Sequence, residues 1–206
     1  MSNDTLNHIL NGRSIVIDLE MTGLPLEDGH RVVSVGLVEL INGVEIGQQV
    51  EYFTKPERPN TEIAAKMHGL SDEFLAEQPL FSEQLEAMLE FIGDAPLIHH
   101  CHYGQDGHST DEVFFEMELK RAGTAPIAHE RWLNTKKWAQ VLDADKNSLN
   151  NMLERFDIST EGRDSETGHG ALVDAVLSAQ VFMPIAKAYE EKTGDMHKEP
   201  PHNPNF

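Results

Sequence analysis

The chain has 206 residues, 39% of them hydrophobic before its 15 glycines are counted, enough for one domain with a proper core and short for two. Its 35 acidic and 16 basic residues give a net charge of −19, which excludes the non-specific grip on long duplex nucleic acid that Lys and Arg provide by neutralising phosphates. A carboxylate-rich pocket loaded with divalent cations can still hold a phosphodiester on such a protein, with weak grip beyond the pocket.

The longest apolar runs are a handful of residues, far short of the ~20 that span a bilayer, so no membrane partner is expected. No basic, apolar leader opens the sequence, and no secretory signal is expected. The single cysteine, Cys101, cannot form an internal disulfide, which suits a reducing, cytoplasmic setting.

In chain order, Arg13–Glu20 (RSIVIDLE) reads as a buried strand followed by a turn carrying Thr22, Gly23 and Pro25. Arg31–Leu40 and Val44–Phe53 are two more strands, and Asn42-Gly43 between them predicts a tight hairpin. Pro79–Ile92 places Phe81, Leu85, Met88, Leu89 and Ile92 on one helical face and stops at Gly93. Ala95–His100 is a short apolar strand. Ser109 or Thr110 caps a helix reaching Ala122, with Asp111 and Glu112 in its first turn.

Trp132–Thr135 is a strand candidate, with helices following near Lys136–Val141 and Ser148–Phe156. Gly170–Lys192 is a long helix that Pro184 should kink or end. The tail from residue 193, ending HKEPPHNPNF, is expected to be disordered, leaving a domain over residues 8–192. The element order predicts an α/β fold with a mixed sheet and helices packed on it.

Asp18 and Glu20 close the first strand. Side chains alternate along a strand, so both carboxylates share one face while Ile15, Ile17 and Leu19 take the other. Adjacent anions on an apolar strand repel unless a cation lies between them, and a hard ion with oxygen ligands fits. The competing reading is an edge strand fraying into solvent. Further on, Gly168–Ala175 reads GHGALVDA. On a continuous helix His169 and Asp174 would stand about 140° apart, so His169 is read in a loop just ahead of the helix, with Asp174 pointing inward. An Asp among Ala, Leu and Val needs a partner.

Asp18-x-Glu20, an intermediate Asp heading a helix, and His169-x-Ala171-x-x-Asp174 together resemble the DEDDh group of 3′–5′ exonucleases. This is the family of the bacterial DNA polymerase III epsilon (proofreading) subunit, and the likeness runs from about Ser14 to Ala186. Met67-His68-Gly69-Leu70 looks like the family's V-H-G-I segment. The fold implied is ribonuclease H-like, a five-stranded mixed sheet flanked by helices. The second motif departs from the family's pattern: His99 is followed by His100, Cys101 and His102 and an apparent insertion. Asp111-x-x-Phe114 and Glu118-Leu119 restore the downstream register, which favours Asp111, with Asp106 in Gly-Gln-Asp-Gly as the rival. His99, His100, Cys101, His102 and His108 are zinc-capable types. Neighbouring strand residues cannot all converge, however, so a polar loop at the mouth of the site is preferred.

The resemblance implies two divalent cations, Mg²⁺ or Mn²⁺, held by Asp18, Glu20, Asp111 and Asp174, and His169 as general base toward the attacking water. It places Met21, Thr22, Gly23 and His68 around the terminal nucleotide. The expected activity is hydrolysis at single-stranded 3′ ends, DNA in a proofreading or repair role, releasing nucleoside 5′-monophosphates. A DNA polymerase is a possible partner, although no clamp- or polymerase-binding extension is recognised. Two alternatives stand beside it. One is an RNA-trimming oligoribonuclease, whose first motif DLEMTGL matches closely. The other is a catalytically weak binding module that keeps the fold.

Overall fold

Alternation along β1 (Arg13–Met21) sorts the molecule into two layers, described in a computed structural model over residues 3–103, 107–160 and 170–197. Ile15, Ile17 and Leu19 enter one buried cluster, while Val16, on the face that carries Asp18 and Glu20, enters another. The remaining strands are β2 (Val32–Ile41), β3 (Val44–Phe53), β4 (Leu97–His99) and β5 (Trp132–Asn134). They form one sheet in the order β3-β2-β1-β4-β5. The first three are antiparallel, and β4 and β5 run parallel to β1 and to each other. This is the mixed five-stranded sheet the sequence predicts. Asn42 and Gly43 make the hairpin with φ of 54° and 74°, the left-handed pair that matches the twist of the flanking strands.

The helices are α1 (Asn3–Asn11), α2 (Glu62–His68), α3 (Asp72–Ala76), α4 (Phe81–Ile92), α5 (Thr110–Arg121), α6 (Lys136–Leu142), α7 (Leu149–Arg155) and α8 (Ala171–Thr193). Three of these have no counterpart in the sequence reading. α1 sinks Leu6 and Ile9 fully into the core from an otherwise polar segment. α2 and α3 are two turns or fewer, with few buried residues between them. Elsewhere local signals sufficed. Ser109 caps α5 by accepting from the Glu112 amide at 3.2 Å, and the Glu112 carboxylate returns to the Ser109 amide. Ser148 caps α7 in the same way.

α8 runs unbroken through Pro184, so the expectation that proline ends the first part of this helix is corrected. Val181, Phe182, Ile185 and Ala186 are fully buried around it, and Trp138 of α6 stacks on Phe182 and Tyr189. Packing on both sides of the proline offsets the lost hydrogen bond. By length and composition α8 is also apolar enough to cross a membrane. Its apolar residues instead pack on the sheet, which is why it reads hydrophobic almost all round.

One charged tie crosses the other layer. Arg31 grips Glu118 of α5 with two bonds, Nε–Oε1 at 2.7 Å and Nη2–Oε2 at 3.0 Å, and Arg121 adds a third at 2.9 Å. Glu118 is buried, and removing it strands a guanidinium in a partly desolvated cleft. Glu118→Ala is expected to cost about 3 kcal/mol, read as a lower midpoint in urea with an unchanged slope. A loss of only a few tenths would mean that the pair is solvated like a surface bridge.

Candidate active site

The end of β1 and the first turns of α8 meet because Gly36 of β2 lets them. Gly36 pairs with Asp18 across the antiparallel ladder. A Cβ there would lie 2.3 Å from the Ala171 carbonyl group and 2.5 Å from the Leu172 amide nitrogen. The start of α8 therefore rests directly on the backbone of β2. This close approach delivers Asp174, buried one turn into the helix, to the strand acids. One carboxylate oxygen from each of Asp18, Glu20 and Asp174 lies within 4.8 Å of the others. Residues 18 and 174 are far apart in sequence, and three anions this close suit a divalent cation with oxygen ligands.

Asp111 reaches the same region from the first turn of α5. It joins His99 and Cys101 in a second group whose ligand atoms lie within 4.8 Å of one another, and it faces the first group through Asp174. Its Oδ2 is buried and has no hydrogen-bond donor among the described residues. Burial pushes the Asp111 carboxyl up to about 7, with the charge of Asp174 adding to the rise and a hydrogen bond from Cys101 opposing it. A buried carboxylate oxygen without a donor, on an acid that feels the charge of Asp174, has the chemistry of a cation ligand.

The thiol of Cys101 is raised well above its ordinary range by burial and by the charges of Asp111 and Asp18, so it stays protonated between them. His99 is pushed down to about 3 by burial, with the positive charges of its neighbours adding to the drop. It is therefore a neutral ring, packed edge-on against Trp132 with centroids 5.6 Å apart. His100 turns the other way, to Thr135 and the Asn147 carbonyl. The alternation expected of the His-His-Cys-His stretch thus holds. Asp106 and His169 lie outside the described residues.

The turn after β1 is built for close approach. Gly23 has φ +149°, and a Cβ there would strike the His30 ring at 2.7 Å and Thr61 at 2.8 Å. Thr22 is buried, its hydroxyl engaged with His30 Nδ1 at 2.9 Å and the Arg31 amide at 3.1 Å. Its carbonyl accepts from the Thr61 amide and so binds the turn to the start of α2. His68, at the other end of α2, is buried and held neutral by desolvation, with its Nδ1 accepting from the Leu70 amide. Met21 is half-buried at a register shift in β1. Met21, Thr22, Gly23 and His68 therefore share one rim.

Two participants escaped the sequence reading. Gly36 left a signal, a lone glycine inside the apolar run VVSVGLVELI, which marks close backbone approach. Lys136 left none. Its ammonium is buried beside Cys101 and His102, and desolvation lowers its pKa.

The RNase T family model, described as an exonuclease, matches residues 15–182. Among curated relatives, the DNA polymerase III subunit epsilon of Rickettsia felis is 34% identical over 177 residues, covering 84% of this chain and 73% of that one. Among solved structures, exonuclease X in complex with 5′-overhanging duplex DNA superposes with a TM-score of 0.61 at 19% identity, covering 90% of this chain and 96% of that one. A 3′-exonuclease described in terms of its 3′-end-specific recognition of a histone mRNA stem-loop superposes at 0.67 and 15% identity, covering 86% and 64%. These two likenesses concern the fold, which is ribonuclease H-like. With a family match across most of the chain and acids of β1 and α8 meeting at the end of its first strand, this protein belongs to the RNase T exonuclease family and is a 3′–5′ exonuclease of the epsilon type.

Proposed function

We propose that the chain removes nucleotides from single-stranded 3′ ends, with DNA as substrate in proofreading or repair, and releases nucleoside 5′-monophosphates. The observation that carries this reading is the convergence of Asp18, Glu20 and Asp174 within 4.8 Å, with Asp111 buried near enough for the charge of Asp174 to raise its pKa and with one carboxylate oxygen unpartnered among the described residues. All the donors are hard oxygens, so the residues fit magnesium or manganese, and the four acids have capacity for two ions. Bound cations supply charge stabilisation for the attacking and leaving oxygens of an in-line displacement.

Asp18, Glu20, Asp174 and an ionised Asp111 would hold the cations. His169 stands one residue ahead of Gly170, the N-cap of α8, and takes the proton from the attacking water. Met21, Thr22, Gly23 and His68 receive the terminal nucleotide, Thr22 through its backbone because its hydroxyl is already engaged. Leu24, Ile63 and Met67 are exposed beside this rim and offer apolar surface to the terminal bases. With few cations elsewhere, affinity should saturate within a few nucleotides. A cytoplasmic setting and service to a polymerase in trans fit this reading.

A 5′-labelled single strand incubated with magnesium or manganese tests it. Stepwise shortening from the 3′ end is expected, abolished by chelator and by Asp18→Ala. His169→Ala should retain metal binding while turnover falls by about 10²–10⁴-fold. If wild type and Asp18→Ala shorten the strand equally poorly, the catalytic reading fails and a binding module takes its place. The acidic surface and the DLEMTGL motif favour a second reading, trimming of very short RNA. Faster turnover of ribo- than deoxyribo-oligonucleotides, and only for the shortest, would select it.

A further inference from the structure

α5 presents two faces to two different clusters. Asp111 looks into the catalytic centre, and the next residue, about 100° around the helix, looks away from it. That residue, Glu112, is buried, yet its Oε1 lies 2.8 Å from His108 Nδ1 and 2.5 Å from His129 Nδ1. The two imidazoles face each other with centroids 4.3 Å apart and are half-exposed at the mouth of a cleft of about 520 Å³. Glu116, one turn further along α5, lines the same cleft. Its Oε1 accepts from the Ile127 amide at 2.9 Å, while its Oε2 is buried without a hydrogen-bond partner among the described residues. Two imidazoles and a buried carboxylate thus converge beside an unsatisfied carboxylate oxygen.

We propose that His108, Glu112 and His129 form a zinc site separate from the catalytic cluster, with Glu116 beside the fourth position. The donor set argues for the ion. Imidazole nitrogens with one or two carboxylates suit zinc, whereas magnesium prefers oxygen and water. The three ligand atoms lie within 4.8 Å of one another. Tetrahedral bonds of ~2.0–2.1 Å require ligand separations of about 3.3 Å, which the exposed rings reach by opening slightly. Zinc here ties the residues ahead of α5 to the 3₁₀ turn His129–Arg131 that feeds β5. It therefore braces the end of α5 that carries Asp111.

The test uses the full chain, stripped of metal and then held in saturating magnesium so that the oxygen-only cluster is occupied by a hard ion. Zinc is titrated calorimetrically, and cobalt is substituted to report an imidazole-carboxylate environment by its visible absorption. One zinc per chain and a raised melting temperature are expected. His129→Ala and His108→Gln should weaken zinc by at least about tenfold, and Asp18→Asn should bind it as wild type does. The histidine variants carry the test because Glu112 also caps α5. His129→Gln, which keeps a polar group in the cleft, stands in if the alanine variant fails to fold. The proposal is overturned if no zinc binds under these conditions. It is equally overturned if the histidine variants bind zinc as wild type does, or if Asp18→Asn abolishes binding.

Discussion

Asp111→Asn is expected to stabilise the metal-free chain above neutral pH and, at the same time, to remove most of its turnover. The two effects share one cause. Folding lifts the Asp111 carboxyl from an ordinary 3.8 to about 7, first by burial and then by the charge of Asp174. A carboxyl raised by folding contributes stability that is fully present below the unfolded pKa and is lost as pH rises through the folded one. As pH rises from about 4 to 7 the unfolded chain gives up this proton while the folded chain keeps it, so the metal-free fold loses stability on the order of a few kcal/mol.

Asparagine fills the same volume without the charge. At pH 8 its melting temperature should exceed that of wild type by several degrees, and at pH 4 the two should coincide. Adding magnesium should reverse the order, because the ion binds the folded wild type and expels the Asp111 proton. Calorimetry at pH 6 in buffers of different ionisation enthalpy should show proton release on magnesium binding by wild type and less by the variant. Turnover should drop on the order of 10³-fold, the weight of several kcal/mol of charge stabilisation. Melting curves that respond identically to pH in both proteins would show that Asp111 is ionised throughout.

Gly36→Ala carries the second large effect, although the residue touches no substrate. Its new Cβ would sit 2.3 Å from the Ala171 carbonyl group, and backbone on both sides leaves no flexible side chain to yield. α8 must then move outward, on the order of 1 Å, and Asp174 moves with it. Overpacking of this kind costs about 1–3 kcal/mol of stability. A misplacement of that size costs about 10²-fold in rate. Magnesium affinity and kcat should therefore fall together, while the far-UV circular dichroism stays native. Wild-type metal affinity with wild-type turnover would mean that α8 does not depend on this contact for its position.

Much of the scaffold was legible because its causes are local. The Asn42-Gly43 turn, the Ser109 cap, the apolar face of Phe81, Leu85 and Met88 and the alternation through Asp18 and Glu20 each depend on residues a few positions apart. Where the local signal was thin the reading stopped. α2 and α3 are too short to show a period, α1 offers few apolar residues, and Pro184 gave a correct local warning that packing overrode.

The sequence by itself settled which residue types share a face: two acids on one side of β1, an acid in the first turn of α5, another early in α8. Only the tertiary structure decided that Asp174 closes on Asp18 and Glu20, that burial and the charge of Asp174 raise the Asp111 pKa, and that Glu112 turns away to meet His108 and His129. Pattern rules reach a few residues along the chain. Charge, desolvation and the clearance above Gly36 act through space, between segments whose meeting is set by how α5 and α8 pack on the two faces of the sheet.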